Sequence, residues 1–80
     1  MENDKIIEII KKHVPEGMEI TQEMRLREDL GLTSLSMFAL IFDMEQLFGH
    51  SLELISFQQA ITIEDFIIAL QKEAEKWDLR

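Results

Sequence analysis

Ser34 occupies the position in this sequence that best suits a chemical role. It follows the segment Leu30-Gly31-Leu32-Thr33 and stands where a helix is predicted to begin. The first turn of a helix has free backbone amides and the positive end of the helix dipole, and both favour a phosphate group. Because a serine at a helix start also serves as an ordinary cap, Ser34 considered alone supports either interpretation.

Nothing in the sequence indicates that Ser34 is an activated nucleophile. His13 and His50 have no neighbouring serine or aspartate in a triad-like arrangement, and their spacing predicts no metal site. Each histidine is interpreted as a surface residue. The sequence has 80 residues and no cysteine, so thiolate metal ligands are excluded, and a chain this short seldom encloses a substrate pocket. We therefore predict that the protein is not an enzyme and has neither a catalytic residue nor a metal.

The acidic composition narrows the classes of partner. The formal net charge is −8 and the pI is near 4.6, which argues against binding nucleic acid or an anionic membrane through a basic surface. Such a chain is expected to meet basic partners, with an association that weakens as salt rises. No apolar run approaches the ~20 residues that span a bilayer, and no signal peptide is recognisable. The prediction is a monomeric cytoplasmic protein without membrane insertion, in which residues 1–80 form one domain.

Apolar spacing predicts an all-α fold, a small four-helix bundle of three main helices and one short helix with a long first loop. Pro15 and Gly17 end the first helix, and a long mixed segment follows. The second helix is predicted over residues 34–48. Thr33 is its expected N-cap and Gly49 its expected C-terminal stop.

Two further helices are predicted in the last third of the chain. Ser56 is expected to cap a short helix over residues 57–60. The segment Thr62-Ile63-Glu64-Asp65 resembles a capping box, with aspartate in the place usually taken by glutamate or glutamine, and it predicts the start of the last helix. The charged tail from Glu73 to Arg80 is expected to fray, and Trp77 within it is interpreted as a packing residue.

The second helix has more apolar surface than a single core contact requires. A spacing of about 100° per residue places one apolar stripe toward the core and puts Leu35, Phe38 and Phe42 on an adjacent sector. Either the helix is buried on all sides, or the second sector is a docking surface for other proteins. Only Asp43 and Glu45 are acidic in this helix, so most of the negative charge lies elsewhere. The core stripe comprises Met37, Leu40, Ile41, Met44 and Phe48.

The segment around Ser34 resembles the acyl carrier protein family. Leu30-Gly31-Leu32-Thr33-Ser34-Leu35 follows Arg27-Glu28-Asp29 and precedes a helix that ends in Glu45-Gln46-Leu47-Phe48. The hallmark of the family is Asp-Ser-Leu after a Leu-Gly pair, following a long first loop. Leu52 and the helix start at Thr62-Ile63 also stand where that family has them, so the resemblance covers nearly the whole chain.

The resemblance implies a carrier whose Ser34 holds a 4'-phosphopantetheine arm, attached from coenzyme A by a phosphopantetheinyl transferase. The thiol of the arm then carries acyl groups as thioesters between enzymes such as ketosynthases, acyltransferases and ligases. The helix that begins at Ser34 is the implied docking surface, and the bundle interior can shelter the acyl chain. The expected partner contacts are Thr33, Leu35, Ser36, Phe38, Ala39, Phe42, Glu45, Gln46 and Leu52. The expected pocket residues are Met37, Met44 and Phe66.

Two departures from the family pattern indicate a specialised carrier. Thr33 stands where the family usually has aspartate, which keeps the cap but removes a negative charge beside Ser34. Ser36, Ala39 and Gln46 stand where carriers of fatty acid synthesis tend to be acidic. We therefore expect dedicated partners, in fatty acid, polyketide or related specialised biosynthesis, rather than those of the housekeeping fatty acid carrier.

Two alternative functions stay open at this level. The cargo could be an aminoacyl or peptidyl group, although the Gly-Gly-His-Ser-Leu segment frequent in peptidyl carriers is absent. The chain could also be an unmodified helical adaptor that binds partners only through its apolar sector. An adaptor would tolerate alanine in place of Ser34, whereas a carrier would lose its function.

Overall fold

Three α-helices and one short 3-10 helix form the regular structure of residues 3–77, the part of the chain described in this computed structural model. α1 spans Asn3–Lys11, α2 spans Ser34–Phe48 and α3 spans Ile63–Trp77. The 3-10 helix spans Leu54–Phe57. No strand occurs in the described range, and the all-α prediction is confirmed.

A single apolar core joins the three α-helices and the long loop between α1 and α2. The predicted core stripe of α2 is confirmed at its centre, where Leu40, Ile41 and Met44 are buried. The loop contributes three buried leucines, so it is part of the core rather than a surface connection. The core residues outside α2 include the loop leucines Leu26, Leu30 and Leu32, together with Ile6, Ile10, Ile63, Phe66, Ile67 and Leu70.

The long loop is held against the start of α3 by backbone hydrogen bonds. The N–H of Leu26 donates to the carbonyl of Ile61 at 2.8 Å, and the N–H of Ile63 donates to the carbonyl of Met24 at 2.9 Å. The two segments form an isolated antiparallel bridge at this point. Because buried backbone groups must be paired, this bridge lets the loop enter the core without orphaned amides. It also fixes the stretch of chain that leads to Ser34.

Both predicted caps of α2 are confirmed. The hydroxyl of Thr33 accepts a hydrogen bond from the N–H of Ser36 at 3.1 Å. At the other end, Gly49 has a φ of 70° and its N–H donates to the carbonyl of Glu45. This left-handed conformation costs a residue with a Cβ about 1–2 kcal/mol, so glycine is favoured there.

The predicted start of α3 is also confirmed. The N–H of Asp65 donates to the hydroxyl of Thr62 at 3.1 Å, and a carboxylate oxygen of Asp65 accepts the N–H of Thr62 at 3.1 Å. The aspartate therefore performs the part that glutamate or glutamine usually plays in a capping box. The N–H groups of Thr62 and Ile61 both donate to the Asp65 carboxylate, and these two hydrogen bonds hold the pKa of Asp65 below its ordinary value.

Two predictions for the last third of the chain are wrong. The short helix occupies Leu54–Phe57 rather than residues 57–60, and Glu53, not Ser56, is its N-cap residue. Residues 73–77 do not fray but complete α3, while residues 78–80 of the predicted tail lie outside the described range. Ser56 lies inside the 3-10 helix, and its hydroxyl donates to a carboxylate oxygen of Glu73 in α3 instead of capping a helix.

Glu73 is a buried carboxylate that joins α3 to the 3-10 helix. Its side chain is 4% exposed, and its oxygens accept the N–H of Glu53 at 3.0 Å, the hydroxyl of Ser56 at 2.9 Å and the ammonium of Lys76 at 2.7 Å. Burial by itself raises the pKa of Glu73, but these three hydrogen bonds outweigh burial and hold the pKa below the ordinary glutamate value. The charged form is therefore the one that the fold stabilises.

Acid should destabilise the fold, and Glu73→Gln should weaken that dependence. The pKa of Glu73 is lower in the folded protein than in the unfolded chain, where it is near 4.5. The charged carboxylate therefore stabilises the fold at pH values above 4.5, and this stabilisation is lost as the pH falls through the lower pKa of the folded protein. Urea unfolding at neutral pH should show that glutamine lowers the free energy of unfolding by about 1.5–3 kcal/mol, the range for hydrogen bonds to charged groups. The difference in free energy of unfolding between wild type and Glu73→Gln should become smaller at acidic pH. A difference in free energy of unfolding that stays the same at neutral and acidic pH would contradict this account.

Candidate cofactor attachment site

A tight turn in the long loop sets the position of Ser34. Gly31 adopts a φ of 73°, a conformation that glycine reaches without steric cost. The N–H of Leu32 donates to the carbonyl of Leu26 at 3.0 Å, and Leu30 and Leu32 are buried on either side of the glycine. The turn is thus anchored in the core, and the chain leaves it directly into the first turn of α2.

Ser34 is the first residue of α2 and is exposed to solvent. The carbonyl of Thr33 accepts the N–H of Met37 at 2.8 Å, and its hydroxyl accepts the N–H of Ser36. Within residues 3–77, the N–H groups of Ser34 and Leu35 and the hydroxyl of Ser34 make no hydrogen bond. Two free amides at the positive end of a helix therefore lie beside an exposed hydroxyl, an arrangement that fits a phosphodiester.

The two histidines are engaged in the fold rather than beside Ser34. Nε2 of His13 lies 2.6 Å from Oδ2 of Asp43, and the His13 side chain is only 17% exposed. The ring of His50 stacks on Trp77 with the ring centroids 4.2 Å apart and the planes 10° from parallel. Both histidines are half-buried, and each has a specific partner distant in sequence. Within the described range, Ser34 has no hydrogen-bonded base, which suits a group that another enzyme modifies.

An apolar cavity of about 330 Å³ opens beside Ser34, between α2 and the 3-10 helix. Its walls include Met37, Phe38 and Ile41 from α2 and Leu54 and Phe57 from the 3-10 helix. A side chain or group attached to the serine hydroxyl can reach this cavity without crossing the core. The cavity fits a flexible apolar chain, because its walls are mostly hydrophobic and it is open on one side.

One of the three predicted pocket residues lines this cavity. Met37 does so, whereas Met44 and Phe66 are fully buried in the core and are not among the residues that line it. Phe66 instead packs behind the cavity wall, with its ring centroid 5.1 Å from that of Phe57. This cavity lies nearer the surface than the centre of the bundle, where Met44 and Phe66 pack, so a pocket role for these two residues stays a prediction.

The outer face of α2 is apolar and exposed. Leu35 is 80% exposed, Phe38 57% and Phe42 58%, so the alternative that α2 is buried on all sides is wrong. Ala39 and Gln46 are also exposed on this helix, and Ser36 is half-buried with its hydroxyl 3.1 Å from that of Thr33. We call the sector formed by Leu35, Phe38 and Phe42 the apolar face of α2.

Glu45 and Leu52, both predicted partner contacts, are placed differently from that face. Leu52 is only 6% exposed, so the prediction that it contacts a partner is corrected. A carboxylate oxygen of Glu45 accepts the N–H of Leu52 at 2.8 Å. With Asp43 beside His13, both carboxylates of α2 are engaged within the fold.

The cavity residues that sequence reasoning missed come from the 3-10 helix and the loop. The sequence predicts Phe57 only as part of a short helix, and it indicates no site role for Leu54. Arg27 also lines the cavity, and its place seven positions before Ser34 is the only indication of this in the sequence. These residues meet Ser34 only through long-range packing, which local spacing does not encode.

Comparison with known proteins identifies the family. Residues 4–70 match the family model described as a phosphopantetheine attachment site. A curated acyl carrier protein from Phytoplasma australiense is 35% identical to this chain over 57 residues, which are 71% of this chain and 75% of the relative. The chain belongs to the acyl carrier protein family. This assignment confirms the resemblance inferred from the segment around Ser34.

A solved structure supports the same assignment. A candidate acyl carrier protein from Mycobacterium tuberculosis superimposes with a TM-score of 0.74 at 26% identity, covering 92% of this chain and 95% of that one. Members of the family hold covalently attached 4'-phosphopantetheine and act as carriers rather than catalysts, so this cofactor belongs to the chain as well. Among the described residues, no helix is long and apolar enough to cross a membrane. No group of three or more potential metal ligands occurs in that same range.

Proposed function

We propose that Ser34 is the attachment point of the phosphopantetheine arm and that the protein carries acyl groups on it as thioesters. The observation that carries the proposal is the exposed hydroxyl of Ser34 at the start of α2, next to the open apolar cavity. The arm supplies a terminal thiol for thioester chemistry. The free amides of Ser34 and Leu35 are placed to bind the phosphodiester oxygens, and the cavity is placed to shelter the acyl chain.

Loading with an acyl group tests this proposal. The phosphopantetheinylated protein should accept an acyl group from a loading enzyme such as an acyltransferase or ligase. The product should release that group in neutral hydroxylamine, because a thioester is cleaved there far faster than an ester or amide. The unmodified protein, treated in the same way, is the control. Acylation that hydroxylamine does not remove, or equal acylation of the unmodified protein, would overturn the proposal.

The proposed partners are a phosphopantetheinyl transferase and enzymes that load and use the acyl group, such as ketosynthases, acyltransferases and ligases. We propose that these are dedicated partners in fatty acid, polyketide or related specialised biosynthesis, acting in the cytoplasm on a monomeric carrier. The support for dedicated partners is the neutral cap at Thr33 and the absence of unengaged carboxylates on α2. Thr33, Ser36, Ala39, Glu45 and Gln46 are proposed to form the polar and small-residue rim of the docking surface.

The chemistry of α2 favours partners that bind it by apolar contact. Leu35, Phe38 and Phe42 are more than half exposed, and apolar patches of this kind usually mark interfaces. Asp43 and Glu45 are each engaged with another residue of the fold, so neither is free to meet a basic partner without breaking that contact. The net charge of −8 therefore acts on partners mainly through other parts of the surface.

Replacing Phe42 by serine should weaken a partner enzyme's use of the carrier about tenfold or more, measured as kcat/KM for the phosphopantetheinylated protein. Aromatic side chains at the centre of an interface commonly contribute this much, and Phe42 does not line the cavity. The ratio between wild type and variant should change little between low and high salt, because the lost contact is apolar. The matched control is Ile68→Ser on α3, which removes an exposed apolar side chain away from α2. Equal losses in the two variants would argue against docking through α2.

A further inference from the structure

Among the described residues that line the apolar cavity beside Ser34, Arg27 is the one that carries a charge. The other walls are apolar except for Ser34 itself and Gln58. Arg27 lies at the start of the turn that precedes Ser34, and its carbonyl accepts the N–H of Gly31 at 3.0 Å. Arg27 is exposed, so its guanidinium stays in water at the edge of the cavity, where it can pair with an anionic group of an occupant.

The guanidinium of Arg27 has no hydrogen bond or ion pair within residues 3–77. Arg25, two positions earlier, is different: its guanidinium lies 3.5 Å from carboxylate oxygens of both Glu28 and Asp29. The whole sequence has sixteen acidic residues against eight lysines and arginines, so acidic partners are abundant. The N–H donors of the Arg27 guanidinium are nevertheless available to bind a group in the cavity, which Ser34 also lines.

We propose that Arg27 binds an anionic oxygen group brought to this cavity by the arm on Ser34, an inference that rests on the proposed function. That group is either the phosphodiester of the arm or a carboxylate at the far end of the acyl cargo. The planar guanidinium presents donors in a fork that matches the oxygens of either group. Arg27 is thus a positioning residue, which holds the arm or the loaded chain over the cavity.

The geometry accommodates both sources of negative charge. The phosphorus of the arm is bonded to the serine oxygen, so the phosphodiester lies at the same cavity that Arg27 lines. A cargo chain that folds back along the arm enters between α2 and the 3-10 helix, past Met37 and Leu54. A carboxylate at the end of such a chain would meet Arg27, a cation in the cavity wall.

Thermal melting of defined forms of the protein tests the proposal. Wild type, Arg27→Gln and Arg25→Gln are compared as the apo protein, as the free-thiol phosphopantetheinyl protein, and with hexanoyl or adipoyl groups on the arm. These two acyl groups have the same chain length and differ in a terminal carboxylate. The apo form of Arg27→Gln should melt like apo wild type, because within residues 3–77 the guanidinium has no hydrogen bond or ion pair to lose. Arg25→Gln is the matched control, since Arg25 does not line the cavity.

Each outcome has a distinct meaning. If Arg27→Gln removes the rise in Tm that accompanies attachment of the arm, Arg27 binds the phosphodiester. If it removes only the additional rise of the adipoyl form over the hexanoyl form, Arg27 binds a cargo carboxylate. The expected change is about 4 °C in either case, the size of one partly exposed charged contact in a domain of this length. If all three proteins respond alike to arm and cargo, the inference is overturned, although attachment itself, read by mass, still stands.

Discussion

Phe66→Ala should lower the free energy of unfolding by about 3–5 kcal/mol, the usual cost of truncating a buried phenylalanine to alanine. Phe66 is fully buried in α3, and its ring packs against that of Phe57 with the centroids 5.1 Å apart. A domain of this length is held together by only ~4–12 kcal/mol, so the variant should be close to unfolding at room temperature. Urea unfolding followed by circular dichroism measures the change.

Phe42→Ala is the matched control for that experiment. It removes the same side chain from the exposed face of α2, where the cost should stay within about 0.5 kcal/mol. The contrast between the two phenylalanines follows from burial alone. A loss at Phe66 below ~1 kcal/mol, or an equal loss at Phe42, would mean that the core is not arranged around α3 as described.

Ser34→Ala should lose all attachment of phosphopantetheine while keeping the fold. The serine hydroxyl has no hydrogen bond within residues 3–77, so alanine at the first position of α2 leaves the hydrogen bonds of the helix start intact. Incubation with coenzyme A and a broad-specificity transferase, followed by mass spectrometry, should show no gain for this variant. Its thermal melt should match that of the unmodified wild type.

Ser36→Ala is the control for Ser34→Ala, since it removes the next serine hydroxyl of the same turn. The cap on α2 uses the backbone N–H at this position, so the helix start should survive and modification should continue. Modification that persists in Ser34→Ala would place the arm on another residue. If Ser34→Ala bound partners and supported their reactions as well as wild type, the adaptor interpretation would be correct instead.

The boundaries of α2 and α3 could be predicted because their signals are local. Thr33 and Gly49 at the ends of α2, and Thr62 with Asp65 at the start of α3, make their capping contacts within four residues. Such contacts form wherever the short motif occurs, so the sequence alone indicates them. The position of Ser34 at the start of α2 could be predicted for the same reason, because it depends on the turn and helix start next to it.

The features that the sequence did not reveal depend on residues far apart in the chain. His13 meets Asp43 thirty positions away, and Glu73 reaches back twenty positions to the N–H of Glu53. A charged residue in a predicted tail gives no local indication that it will be buried. Its burial becomes favourable only when the fold brings it three hydrogen-bond donors at once.

The cavity combines both kinds of information. Met37 could be predicted as a lining residue because it lies one helical turn from Ser34, on the side facing the core. Arg27 and Leu54 could not, because they reach the cavity from the loop and from the 3-10 helix. The side-chain types of Met44 and Phe66 suit a pocket lining, but side-chain type alone does not distinguish a cavity wall from a closed core.

The intact mass of the wild-type protein, before and after incubation with coenzyme A and a phosphopantetheinyl transferase, tests the central claim most directly. The account predicts a gain of one phosphopantetheine group and, after proteolysis, its location on the peptide that contains Ser34. A gain located on any other residue would contradict the assignment of Ser34. No gain with any of several transferases, on protein whose circular dichroism shows it to be folded, would contradict the carrier function itself.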